Sequence, residues 1–114
     1  MNVERRYSDL SYEELRSEIA ELKEKALKAE QLGMVNEYAV HERKIIMAKS
    51  YMIDPNQFKA NEVYQIDGDP AHTFFIEYMN GVFAWGYRKN QQGERAGKEE
   101  VALPISMLGE KITR

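Results

Sequence analysis

At Asp54-Pro55 the hydrophobic period of this chain changes from helical to alternating, and that change sets the fold class. Upstream, Leu15, Ile19, Leu22, Ala26 and Ala29 recur at +4, +3, +4, +3, which is one stripe of an amphipathic helix. Ser11 ahead of Glu14 reads as a capping box, and Leu10 with Leu15 as a hydrophobic staple. Glu21 and Lys25 add a favourable pair one turn apart on the outer side. Gly33 stands where a left-handed residue is wanted, so the first helix is expected over 12–32. Met34, Tyr38, His41, Ile45, Ala48 and Met52 form a second stripe, and so short a connection forces the two helices antiparallel. Pro55 disfavours helical geometry at Asp54 and ends the second helix. Val35, Ala39 and Ile46 lie off that stripe and suggest a second contact surface, for the other half or for another copy of the chain.

Downstream, residues 61–66, 72–79, 82–88 and 99–103 read as four strands of a small antiparallel β domain, punctuated by Asp67-Gly68-Asp69-Pro70 and Asn80-Gly81. Residues 89–98 are polar with two glycines and read as a loop; Pro104 and the short Ile105-Ser106-Met107-Leu108 run read as a final turn. The expectation is an α+β chain, a helical hairpin over 1–54 and a β domain over 55–114. The junction, 54–60, is too short for a flexible linker, so the halves are expected to pack together.

Eight of the twelve aromatic residues fall between Phe58 and Tyr87. Asn-Gly is the strongest two-residue hairpin signal. With Asn80-Gly81 as the turn, Met79 faces Val82, Tyr78 faces Phe83, Ile76 faces Trp85 and Phe74 faces Tyr87. Those last six side chains then share one face, and Phe75 lies over Gly86 on the other. The plain reading of the aromatic face is core. The sharper reading leaves Trp85 or Tyr87 partly exposed to stack on a partner, as small β modules do with proline-rich peptides or single-stranded nucleic acid.

The remaining features mostly exclude. A chain of 114 residues is one domain or two very small ones. With no cysteine there is no disulfide scaffold, thiolate zinc site or cysteine nucleophile, which fits a reducing cytoplasm. Residues 1–6 lead into no apolar core, so no signal peptide is expected, and no apolar run approaches the ~20 residues of a membrane span. The net charge of −3 argues against a globally basic nucleic-acid module. No nucleophile elbow, phosphate loop, zinc-protease or dinucleotide motif is present, so neither catalytic residues, a metal nor a cofactor is expected.

The chain resembles the YfhH-like family of small proteins from Bacillus and its relatives. The resemblance rests on Arg6-Tyr7-Ser8, on 25–31, 42–45 and 47–49, on the hairpin block 78–88 and on 102–106, and so spans nearly the whole chain. It implies an N-terminal helical hairpin followed by an SH3-like β-barrel. It brings no activity or catalytic motif to carry over, only a label of transcriptional regulator. His41 is one departure, on a stripe where an aliphatic residue is easier to bury.

Candidate sites are few. His41 reads as a buried, hydrogen-bonded histidine rather than a ligand. Asp67 to His72 reads as a solvated turn: as a calcium loop it has His72 and Tyr78 where glycine and glutamate are required. Arg88, Lys89, Arg95 and Lys98 against Glu94 leave a local +3, the best anion-facing candidate, on what is expected to be a solvated loop. Arg43, Lys44 and Lys49 are a weaker basic cluster, on helices too long and too antiparallel for a DNA-reading helix-turn-helix. The expected function is a non-enzymatic cytosolic interaction or regulatory module. It would act on a protein partner or by self-association, through Trp85, Tyr87 and the basic residues or through the helical hairpin. Nucleic-acid binding by the 88–98 segment is the alternative.

Overall fold

Antiparallel helices come first and an antiparallel sheet second, in a computed structural model that describes residues 6–112. Residues 1–5, on which the expected lack of a leader rests, lie outside the described residues. The chain separates into two units at the Ile53–Asp54 step.

In the first unit a 3-10 turn, Tyr7–Asp9, leads into α1, Tyr12–Gln31, and α2, Val35–Ser50. The capping box is formed: Glu14 N–H donates to Ser11 Oγ at 3.1 Å, and Ser11 N–H donates to Glu14 Oε1 at 3.0 Å. Such a cap stabilises a helix by about 1 kcal/mol. Gly33 has φ +71 and lets the chain reverse, with Gly33 N–H donating to Glu30 O and Met34 N–H to Ala29 O. The buried residues of α1 are the five of its stripe. Leu15, Ile19, Leu22, Ile45 and Ala48 form the core, with Tyr7, Leu10 and Met52 packed at its edge.

The second stripe is buried only toward its C-terminal end. Near the hairpin tip α1 offers the small Ala26 and Ala29; there Met34 is exposed and Tyr38 only half-buried. His41 corrects an expectation: it is half-buried, and its buried Nδ1 has no hydrogen-bond partner among the described residues. Among the described residues the fully buried polar one is Ser50, whose Oγ donates to Ile46 O at 2.9 Å, satisfying itself one turn back. Among the described residues, no helix is long and apolar enough to cross a membrane.

Among its described residues the second unit has five strands: β1 (Val63–Ile66), β2 (Thr73–Asn80), β3 (Phe83–Lys89), β4 (Arg95–Pro104) and β5 (Leu108–Lys111), in the order β4-β3-β2-β1-β5. All pairings are antiparallel. The sheet is open, with β4 and β5 as its edges, so hydrogen bonding does not close it into a barrel. The fifth strand is additional to the four expected. Residues Ile105–Met107 make one 3-10 turn, after which β5 runs back along β1, pairing Leu108 with Ile66 and Lys111 with Tyr64. With one apolar residue in four, β5 carries no alternation to read.

The hairpin register also differs from the expected one, in two steps. The turn residues are Gly81 and Val82, with Asn80 opposite Phe83. A type I′ turn on Asn80-Gly81 needs positive φ at both residues; here Gly81 has φ +60 and Asn80 does not share it. Val82 is buried, and its carbonyl accepts from Ile105 N–H at 2.9 Å, which ties the turn to the 3-10 segment. This moves Tyr78 from Phe83 to Trp85 without changing which residues share a face. A β-bulge between Ile76 and Tyr78 then inserts Glu77 and shifts the pairing by one more residue. That odd step exchanges faces. Phe74 and Ile76 turn inward with Ala84, Val82 and Leu103, while Phe75, Trp85 and Tyr87 turn outward.

Gly86 accommodates the bulge. A Cβ there would overlap the Phe75 carbonyl oxygen and come within 3.1 Å of Glu77 N. The expected 89–98 loop is short as well: only 90–94 lie between β3 and β4. The Asn90 side chain accepts from Gln92 and Glu94 N–H at 3.0 and 2.9 Å, and Asn90 N–H donates to Glu94 O at 2.8 Å, which closes the turn. Arg95 and Lys98 therefore stand on β4. Between Gly86↔Val101 and Arg88↔Ala96 that strand carries four residues against one, and Gly97 has φ +86.

Candidate functional site

Alternation along β3 places Phe83, Trp85, Tyr87 and Lys89 on the outer face of the sheet, each half-buried. The bulged β2 brings Phe75 beside Tyr87 and Tyr78 beside Trp85. Both pairs stack: Phe75–Tyr87 at 5.1 Å and 27°, Tyr78–Trp85 at 5.9 Å and 3°. Tyr78 is the most open ring, 44% exposed. Its hydroxyl reaches across β3 and donates to Glu100 Oε1 at 3.4 Å. Desolvation, then the Glu100 carboxylate, raises its pKa above the ordinary tyrosine value.

Two cations complete this face. The Arg95 guanidinium lies 4.4 Å from the Tyr87 ring centroid and the Lys89 ammonium 5.2 Å from that of Phe75. Arg95 also donates to Lys98 O at 2.9 Å, across the irregularity in β4. Lys98 is exposed.

Of the residues singled out in the sequence, Trp85, Tyr87, Lys89 and Arg95 meet on this face. Arg88 does not: alternation turns it the other way, opposite Phe74, and its Nε pairs with Asp69 Oδ2 at 3.3 Å. Asp69 also takes His72 Nδ1 at 3.0 Å, so its carboxylate is engaged within the turn and is held below the ordinary range, by His72 first and Arg88 second. Phe75 and Tyr78 complete the face, and their placement depends on the bulge, whose one trace in the sequence is Gly86.

A second polar cluster went unread in the sequence. Glu62 Oε1 accepts from Lys59 N–H and Tyr64 OH, both at 2.8 Å, and Oε2 takes Lys111 Nζ at 2.6 Å. Lys111 is the largest influence holding the Glu62 carboxyl below its ordinary range. Burial, then the bond to Glu62, pushes Tyr64 up to about 12. These bonds pin β5 to β1 and to the segment before it. Among the described residues, no group of three or more His, Cys, Asp or Glu side chains is arranged to hold a metal.

The residues that build this face lie in a stretch with relatives. Residues 5–109 match the family model described as "Protein of unknown function (DUF1811)". The chain belongs to that family. A curated relative, "Uncharacterized protein YfhH" of Bacillus subtilis strain 168, is 50% identical over 109 residues, 96% of this chain and 99% of the relative. The YfhH-like resemblance read from the sequence is thus a family relationship over nearly the full length.

Proposed function

We propose that the chain is a non-enzymatic, cytosolic interaction module, SH3-like in strand order, that docks a partner on the outer face of β2–β3–β4. One observation carries the reading. Five rings line that face although the inner face is already filled by Phe74, Ile76, Val82, Ala84 and Leu103. Four of the five outer rings stack in pairs before any partner arrives, so docking orders few side chains and costs little entropy. The polar clusters support binding over catalysis: His72 and Arg88 take up the Asp69 carboxylate, Tyr64 and Lys111 take up that of Glu62, and both acids are thereby engaged in joining strands and turns to one another.

The test compares wild type with Tyr78→Ala on the sheet face and Val35→Asp on the hairpin, an exposed position. Immobilised full-length chain is offered cell extract, and each retained component is purified and titrated directly. The expected result is a component whose affinity falls at least tenfold with Tyr78→Ala and holds with Val35→Asp. Equal affinity for all three chains, or loss with Val35→Asp alone, overturns the reading.

A further inference from the structure

We infer that the partner of this face is a single-stranded nucleic acid, with bases on the aromatic pairs and phosphates on Lys89, Arg95 and Lys98. The inference rests on the docking face proposed above and names its occupant.

The arrangement of the rings comes first. Phe83, Trp85, Tyr87 and Lys89 alternate along β3, with Phe75 and Tyr78 beside them on β2. Sheet modules that read single-stranded RNA present aromatic side chains in this way, at alternating positions on adjacent strands, and stack two or three bases. On one strand, rings two residues apart repeat about every 7 Å. A polyproline helix presents equivalent groups once per three residues, about every 9 Å, and fits that repeat poorly.

Charge is the second argument, and it is local. The chain is acidic overall, −3, but the two cations on this face make no ion pair among the described residues. Arg88, the cation that does pair, is turned away. Lys89 and Arg95 both sit at the Phe75–Tyr87 end, and Lys98 is joined to Arg95 through its carbonyl. At the other end Glu100 bonds Tyr78 and repels phosphate. The footprint is therefore short, anchored at the basic end, and takes two or three phosphates. A duplex has its bases paired and stacked on each other, so it leaves these rings nothing to stack on.

Fluorescence anisotropy of labelled oligouridylate and oligothymidylate with the full chain tests this, beside a duplex DNA, a proline-rich peptide and an acidic peptide. Trp85, the one tryptophan, is a second readout through quenching. Both single strands should bind and quench Trp85, the duplex at least tenfold more weakly. The slope of log K against log salt should lie between about −1.4 and −2.1, for two or three phosphates. Lys89→Ala should flatten it by about 0.7. Tyr87→Leu should weaken binding about tenfold, while Tyr87→Phe, which keeps the ring, restores it.

No binding of either single strand at low salt overturns the inference, as does equal affinity for the duplex or indifference to Tyr87→Leu. If a peptide binds in place of the oligonucleotides and Tyr78→Ala abolishes that binding, the inference fails and the docking face stands. If oligonucleotides bind and neither Tyr78→Ala nor Tyr87→Leu matters, both fail.

Discussion

Replacing Gly86 by alanine should destabilise the sheet unit by about 2–3 kcal/mol, and the sign of that change tests the hairpin register. The new Cβ would overlap the Phe75 carbonyl oxygen and stand 3.0 and 3.1 Å from Phe75 C and Glu77 N. All three atoms are backbone, so no rotamer change relieves the overlap; the bulge itself must move. Overpacking of this kind costs about 1–3 kcal/mol, and backbone contact places this case at the upper end. Alanine returns only about 0.4–1 kcal/mol by stiffening the unfolded chain.

Gly81→Ala is the control. It has φ +60 with nothing within 4 Å, so its cost is the left-handed penalty of about 1–2 kcal/mol less the same return, a net of about 1. Urea titration followed by Trp85 fluorescence and by circular dichroism measures both. At a slope near 1 kcal/mol per molar, Gly86→Ala should lower the midpoint by about 2–3 M and Gly81→Ala by about 1 M. In an unbulged ladder with Phe75 directly opposite Gly86, the added methyl would meet an ordinary cross-strand neighbour and raise the midpoint slightly. A Gly86→Ala midpoint at or above that of wild type would therefore refute the bulged register and, with it, the assignment of faces.

The neighbouring phenylalanines test the same assignment by side-chain loss. Phe74 is fully buried, so Phe74→Ala should cost about 3–5 kcal/mol, while half-exposed Phe75→Ala should cost less than half as much; equal denaturation midpoints would count against it. Glu62 and Tyr64 predict opposite pH limits. The folded Glu62 carboxyl has a lowered pKa, so its stabilisation is present above the ordinary carboxylate value and is lost as pH falls through that value to the folded one. The pKa of Tyr64 is raised to about 12, so its stabilisation is present below the ordinary value of 10.0 and is lost as pH rises from there to about 12. Urea midpoints across pH should show the acid fall flattened in Glu62→Gln and the alkaline fall flattened in Tyr64→Phe; variant profiles parallel to wild type would exclude the cluster as their source.

The helical unit was legible because its signals are local. A capping box spans three residues, a stripe repeats every three or four, and a left-handed glycine acts on its own turn, so Ser11, Glu14, Leu15 and Gly33 could be placed with no knowledge of anything distant. His41 marks the limit: its stripe position was readable, but whether its Nδ1 finds a partner depends on side chains across the hairpin. In the sheet the strong apolar runs were readable as strands, whereas Leu108-Gly109-Glu110-Lys111 became one only because β1 offered it an unpaired edge.

The candidate site divides in the same way. Its materials, aromatic residues gathered before Tyr87 and cations gathered after it, are a property of the sequence alone. Which of them share a face is not, because a strand has a period of two and one inserted residue reverses every side chain beyond it. Burial of Val82 set the turn, and Glu77 supplied the inserted residue, which sent Phe74 and Ile76 inward and left Phe75, Trp85 and Tyr87 half-exposed beside Lys89 and Arg95. By itself the sequence determined the helices, the strong strands and the supply of rings and charges, since each is decided within a few residues. Tertiary structure alone decided the register, the fifth strand and the working face, since each depends on competition between distant groups for the same interior.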